Sequence, residues 1–311
     1  MSDREREAAP SEPAARLAQR DLQAPETLPA RLLALQATAG NRAVGRLLAR
    51  VPSQVNINRP ERRTGGRFYS GRARYEVDFT PLECMLTIRV RLVPDANVTQ
   101  AQTDAVKAQT EREFLRLWDN KFYLDETVTG RIPFIDPKAT STERFFLRVR
   151  VLWVNSGQHV RVRLSRGPGR DDETHWYVTG SIAMDRAHEL SHTLGLNDEY
   201  IDTSVPRRRN ATAPGVFDDH SLLGNYYTEG VANAEVKLRH GQQLAADISR
   251  ATRRRFTAHY TGSYQGERLV RWRGIRDAAA AGSTERTRAE AEVRSIEQDL
   301  LIPALSGAAT P

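Results

Sequence analysis

Two periodicities alternate along this chain, and together they predict an α+β fold. Leu86, Ile88, Val90 and Leu92 alternate with Thr87, Arg89 and Arg91, the period of a strand with one face buried. Residues 98–118 switch to helical spacing, with Ala101, Ala105, Ala108, Leu115 and Trp118 on one side and charges opposite. Period two returns at Leu147, Val149, Val151 and Trp153, and again at Val160, Val162 and Leu164 after the turn signal Asn155-Ser156-Gly157. That pair predicts a hairpin, followed by a Gly/Pro-rich loop and a short edge strand at residues 175–179. A helix is expected to begin at an N-cap of Thr179 or Ser181 and to stop at Gly195. Pro206, Pro214, Gly215 and the run Arg207-Arg208-Arg209 make residues 203–220 a long exposed loop. Two amphipathic helices, near 231–258 and 283–301, are expected to close the chain.

The first sixty residues are organised differently. Residues 1–30 mix Ala, Pro, Glu and Arg with no periodic apolar face, a composition expected to be disordered. In residues 31–50, Leu32, Leu35, Gln36, Ala39, Ala43 and Leu47 fall at helical offsets around Gly40-Asn41. This amphipathic stripe is too short to bury itself, so it is expected to dock on a partner. Residues 51–66 read as linker. The expected main domain is therefore 67–245, with 246–311 as a helical C-terminal extension.

Composition narrows the function classes. Lys+Arg 46 against Asp+Glu 39 gives a net charge of +7, yet residues 31–75 alone carry ten Arg against the single acid Glu61. From residue 31 to residue 67 no aromatic is interleaved with those arginines, which disfavours nucleic acid as the partner. No apolar run approaches the roughly 18–20 residues of a membrane span, and the N-terminus has no apolar core of a secretory signal peptide. The single Cys84 excludes an internal disulfide and a cysteine-based zinc site, and reads as a small buried hydrophobe. Trp118, Trp153 and Trp176 read as core, and His220 as a solvated loop residue.

The chemistry is concentrated in MDRAHELSHTLGLNDEY, residues 184–200. His188 and His192 stand at i and i+4, so on a helix both imidazoles share one face and can converge on one cation, Zn²⁺. Glu189, one position on, is turned about 100° round the helix and is placed beside the metal as a base. Gly195 can adopt positive φ and turn the chain sharply, returning Asp198 toward the histidines as third ligand. Glu199 is the alternative third ligand.

The pattern HExxHxxGxxD resembles the zinc helix of the metzincin clan of metallopeptidases, in particular the snapalysin-like members whose third ligand is Asp. GLNDEY also resembles the GLxDEY ending found in several bacterial zinc peptidase families. That resemblance implies a zincin-like domain, a mixed or antiparallel sheet packed on the active-site helix, and zinc-dependent hydrolysis of a protein or peptide substrate. Metzincins carry a Met-turn below the metal. Its counterpart here is Ser221-Leu222-Leu223-Gly224-Asn225, with Leu223 where Met would stand, and Tyr226 or Tyr227 follows within reach of the oxyanion. At the other end, Leu35-Gln-Ala-Thr-Ala-Gly-Asn-Arg-Ala-Val44 with Leu47-Leu48 resembles a segment of proteins associated with bacterial extracellular contractile injection systems. It implies a toxin or effector made in the bacterial cytoplasm, loaded through residues 31–50 onto an injection particle, and delivered outside or into a target cell. The rival expectation is a non-catalytic adaptor of such a particle, with the metal retained as a fold staple.

Overall fold

A computed structural model describes residues 52–64, 68–129 and 140–305. The expectations for residues 1–30 and 31–50 lie outside the described residues. The rest is α+β, as the two periodicities require. In chain order the elements are strands β1 (Ser53–Arg62), β2 (Phe68–Phe79) and β3 (Glu83–Pro94), helix α1 (Gln100–Trp118), then β4 (Phe122–Thr129), β5 (Thr140–Trp153), β6 (Val160–Pro168) and β7 (His175–Thr179). Helix α2 (Ala183–Thr193), the single turn α3 (Tyr226–Glu229) and helix α4 (Leu238–Thr252) follow, then β8 (Phe256–Tyr260) and the helices α5 (Gly262–Ala278) and α6 (Thr284–Leu305).

The strands form one mixed sheet in the order β1-β2-β3-β5-β4-β8, with β6 paired to β3 and β7 to β6. Cys84, Leu86, Ile88 and Val90 of the central strand face the core, where α1 and α2 pack. A reciprocal cap between Thr99 and Gln102 starts α1. The two helices are stitched together by polar contacts: Trp118 Nε1 donates to Ser191 Oγ at 3.0 Å, and the buried Arg186 donates to Thr110 and Gln109 at 2.9 and 3.1 Å. Trp118 and Trp176 are fully buried, and Trp153 packs at the edge of the same core. Cys84 is a buried free thiol in β3, as its setting in the sequence suggested.

Several expectations are corrected. The span 51–66 is not a linker: it contains β1, which pairs antiparallel with β2 from Ser53↔Val77 to Arg62↔Phe68. Only Val55 and Ile57 give it an apolar face, so its alternation is too short to register in sequence. Edge position lets it carry Pro60. The expected hairpin does not form either. β5 and β6 each run parallel to β3, one after the other, pairing Phe146–Trp153 with Glu83–Val90 and Val160–Leu164 with Val90–Pro94. Asn155-Ser156-Gly157 is a detour between two stretches that pair with the same strand, not a reversal.

The C-terminal boundary at 245/246 falls inside α4, and β8 beyond it joins the main sheet beside β4. The expected helix 231–258 thus shrinks to 238–252, and α5 appears where none was expected. α5 and α6 form a hairpin with a small core of Trp272, Ile275, Ala289, Val293 and Ile296. The loop 203–220 is irregular but not uniformly exposed, because Val205, Arg208 and His220 are buried along it. His220, expected in solvent, lies beneath the Trp272 ring at positive φ. Among the described residues no helix is long and apolar enough to cross a membrane.

Candidate metal centre

Helix α2 starts without a side-chain cap from Thr179 or Ser181. Ile182 occupies the N-cap, and Asp185 Oδ2 accepts its N–H at 3.0 Å, while Ser181 is committed to Asp171. The helix ends where the glycine demands it. Gly195 has φ +82°, and a Cβ there would lie 2.6 Å from the Cβ of Ala73 in β2. Both backbone conformation and close approach therefore select glycine. The Gly195 carbonyl is held by Arg59 of β1 at 3.2 Å and Gln243 of α4 at 2.6 Å. The chain leaves this pinned corner toward Asp198.

Asp198 Oδ1 lies 3.1 Å from His188 Nε2 and 3.3 Å from His192 Nε2. The imidazole rings are perpendicular, with centroids 4.8 Å apart. Their other nitrogens are used: His188 Nδ1 donates to Leu222 O at 2.9 Å, and His192 Nδ1 donates to Leu196 O at 2.8 Å. A carbonyl oxygen only accepts, so each Nδ1 carries a proton and each Nε2 faces the shared point. This is the support a metal-binding histidine requires. Tetrahedral zinc, with bonds of about 2.0–2.1 Å, separates its ligand atoms by about 3.3 Å. Asp198 Oδ1 fits that spacing to each Nε2.

Glu189 stands further out, its oxygens 4.0 Å from His188 Nε2 and 3.8 Å from His192 Nε2. His188, Glu189 and His192 place one donor atom each within 4.8 Å of one another, but Asp198 lies closer to both imidazoles than Glu189 does. Distance separates the roles: Asp198 belongs with the histidines, Glu189 beside them. Burial pushes the Glu189 carboxyl up to about 7, the two histidines only partly offsetting it. Burial likewise opposes charge on His192 and Asp198, but each holds the other charged, raising His192 and holding Asp198 well below the usual carboxylate range. An ionised carboxylate facing two imidazoles is a donor set for a divalent cation, whose binding displaces the shared proton.

Glu199, the alternative third ligand, turns the other way. It accepts two hydrogen bonds of 2.6 Å from Arg239, lies 3.2 Å from His240 Nε2, and accepts from Ser221 Oγ. Ser221 opens the turn under the histidines, where Leu222 supplies the carbonyl for His188 and Leu223 is 1% exposed. Leu223 O also accepts the Glu199 N–H at 2.7 Å, closing the ligand loop onto the turn. Tyr226 packs 5.6 Å from the His188 ring, but its hydroxyl donates to Asp185 Oδ1 at 2.8 Å, and Tyr227 donates to the same oxygen at 2.5 Å. Neither hydroxyl is free for a substrate oxyanion.

Three residues at the site were not anticipated. Arg208, buried within the supposed exposed loop, lies 3.5 Å from Asp198 Oδ2 and donates to Glu61 of β1 at 2.9 Å. Tyr200 is pushed up to about 12 by burial and by the neighbouring Asp198 charge. Arg170, from the β6–β7 loop, donates to the Tyr200 hydroxyl at 3.0 Å. Only the final tyrosine of GLNDEY carried a signal in sequence; the two arginines come from distant segments.

Two cavities open on the centre. One of about 540 Å³ includes His188, Tyr226 and Tyr227 in its wall. The other, of about 510 Å³, includes His192, Asp198 and Glu173. They meet at Arg170, Asp171, Glu189 and Tyr200, which line both.

No family model, curated protein or solved structure matches the chain.

Proposed function

We propose that this chain is a zinc-dependent endopeptidase. One observation carries the reading: two histidine Nε2 atoms and one aspartate oxygen converge at zinc-ligand spacing, with both Nδ1 atoms locked to carbonyls. His188, His192 and Asp198 would hold the ion. Bound Zn²⁺ supplies Lewis acidity that lowers the pKa of water toward neutrality and polarises a peptide carbonyl.

The chain's own residues do the rest. Glu189, held near 7 by burial, accepts the proton of the attacking water as its oxygen adds to the carbonyl carbon. The same carboxyl then passes that proton to the leaving nitrogen as the C–N bond breaks, giving a carboxylic acid and an amine. The cavities on either side of Glu189 give a polypeptide room on both sides of the cut, which favours an endopeptidase over a metal-stapled adaptor. Delivery as cargo of a contractile injection system belongs to the same proposal and rests on residues 31–50.

Glu189→Gln tests it. Shape and hydrogen bonding are retained and the base is lost, so zinc and fold should stay while hydrolysis falls about 10²–10⁴-fold. A wild-type protein holding about one zinc per chain that cleaves neither casein nor itself would replace the peptidase with the adaptor.

A further inference from the structure

A tetrahedral intermediate of amide hydrolysis carries its new charge on the former carbonyl oxygen, and an enzyme gains most by placing a fixed donor there. The tyrosines after the turn do not serve, because both hydroxyls are tied to Asp185. The junction of the two cavities contains two other donors, the Tyr200 hydroxyl, which is engaged with Asp198, and Arg170. Of the four residues that line both, Arg170 is the only cation; Asp171 is buried and occupied by Ser181 and the Tyr177 N–H.

A peptide lying along both cavities passes His188 on one side and His192 on the other, so the bond above Glu189 lies at that junction. Arg170 lines that junction and lies near enough for the Asp198 and Glu189 charges to act on it. Among the described residues its guanidinium donates one hydrogen bond, to the Tyr200 hydroxyl, and no carboxylate lies within 4.0 Å of it. The remaining N–H groups are available to a ligand.

The loop carrying Arg170 is held in place. Gly169 lies flat against the Tyr177 ring, where a Cβ would fall 2.2 Å from the ring carbon that bears the hydroxyl. Gly180, at φ +80°, backs onto Pro168, whose Cβ would lie 3.2 Å from a Cβ there. The backbone before Arg170 thus packs against Tyr177 of β7 and against Gly180 beyond it, and its side chain is tied at the far end by Tyr200. A donor fixed at both ends needs little reorganisation during the reaction.

From this geometry we infer that Arg170 is a catalytic residue that hydrogen-bonds the scissile carbonyl oxygen as it becomes an oxyanion. The inference rests on the peptidase reading. When the water oxygen adds to the carbonyl carbon, the C=O π pair moves onto the oxygen, where Arg170 meets it. That pair re-forms the double bond as the C–N bond breaks and the nitrogen takes the proton from Glu189.

The test compares wild type with Arg170→Ala and Arg170→Lys in the zinc-loaded full chain, on a peptide the wild type cleaves. For Arg170→Ala, kcat should fall about 10²–10³-fold, the range for loss of one oxyanion donor, with KM changed by less than about threefold. Arg170→Lys, retaining charge but not the fork, should recover part of the loss. Zinc content and Tm should match wild type, because the side chain is exposed. A phosphinic peptide, with a tetrahedral anionic centre, should lose affinity for Arg170→Ala far more than its planar parent peptide does. A raised KM with intact kcat, equal loss of both ligands, or loss of zinc would each overturn the role while leaving the peptidase reading intact. A wild-type protein that neither cleaves peptide nor binds the phosphinate overturns both.

Discussion

Asp198 and Glu199 are neighbours in sequence, both largely buried and both next to histidine, yet they enter clusters of opposite character. Around Asp198 stand two imidazoles, His188 and His192, a second carboxyl at Glu189, and a single guanidinium, Arg208, which Glu61 already claims. Around Glu199 stand the bidentate Arg239, His240 and Ser221, with Asp219 completing the guanidinium. In the second cluster both Glu199 oxygens accept from protein donors. In the first, two ring nitrogens aim at one Asp198 oxygen. A buried carboxylate saturated by protein donors is a fastener, whereas one left facing lone pairs is a socket for a cation.

The sharpest way to break this comparison is to remove each charge in turn. Asp198→Asn should drop zinc from about one per chain to near none after dialysis. That loss should exceed the roughly 10–100-fold cost of losing a supporting hydrogen bond. Glu199→Gln should keep its zinc. If the two variants lose metal equally, the division between socket and fastener is wrong.

Stability should show the opposite order. Glu199→Gln leaves Arg239 facing Asp219 alone, at a cost of about 2–3 kcal/mol. Arg239 keeps about a quarter of its side chain in solvent, so the cost is below that of a fully buried pair. Tm should fall by about 5–10 °C. In the metal-free protein, Asp198→Asn should change Tm by less.

Acid titration sharpens the same point at a second fastener. Glu235, fully buried, is opposed by burial but held charged by Lys237, Arg268 and Arg271, which keep its pKa below the ordinary carboxylate value. A depressed folded-state pKa contributes stability above the unfolded value of about 4.3 and loses it as pH falls toward the folded value. Metal-free wild type should therefore lose stability below about pH 4.3. Glu235→Gln should be less stable at neutral pH but show a flatter acid limb in chemical denaturation. Parallel acid limbs would remove Glu235 from the account.

The smallest effect is expected from the leading segment. Deleting residues 1–50 leaves β1 whole, because it begins at Ser53. Zinc, hydrolysis and Tm should be unchanged within error, while co-purification with a phage-tail-like particle should be lost. A truncated chain that precipitates would make the segment part of the fold.

What the sequence reveals follows the range of the interactions involved. His188, Glu189, His192, Gly195 and Asp198 span eleven residues, and helix geometry plus one left-handed turn carries them into place, so spacing alone was enough. The central strand and α1 were equally legible, because their apolar period is local. Pairing was not. The turn signal Asn155-Ser156-Gly157 predicts a hairpin of β5 and β6, but each pairs in parallel with β3 instead. β1 was hidden because most of its outward positions are Asn, Gln and Arg, and its membership depends on the strand beside it. The Glu199 fastener, the Arg208–Glu61 pair and Arg170 each join residues tens to more than a hundred positions apart. No local pattern marks such groups.

That edge strand also sets how the protein bears mechanical load. β1 zips onto β2 from Ser53 to Arg62, and Glu61, the ninth of its ten residues, grips the arginine that reaches Asp198. Traction applied at residue 52 and directed away from β2 opens these pairs one at a time, with Ser53 first and Glu61 near the last. Six rungs, Ser53 to Asn58, therefore open before the first β1 residue that touches the ligand loop, Arg59. Fraying confined to Ser53–Asn58 leaves in place both Arg59, which holds the Gly195 carbonyl, and Glu61.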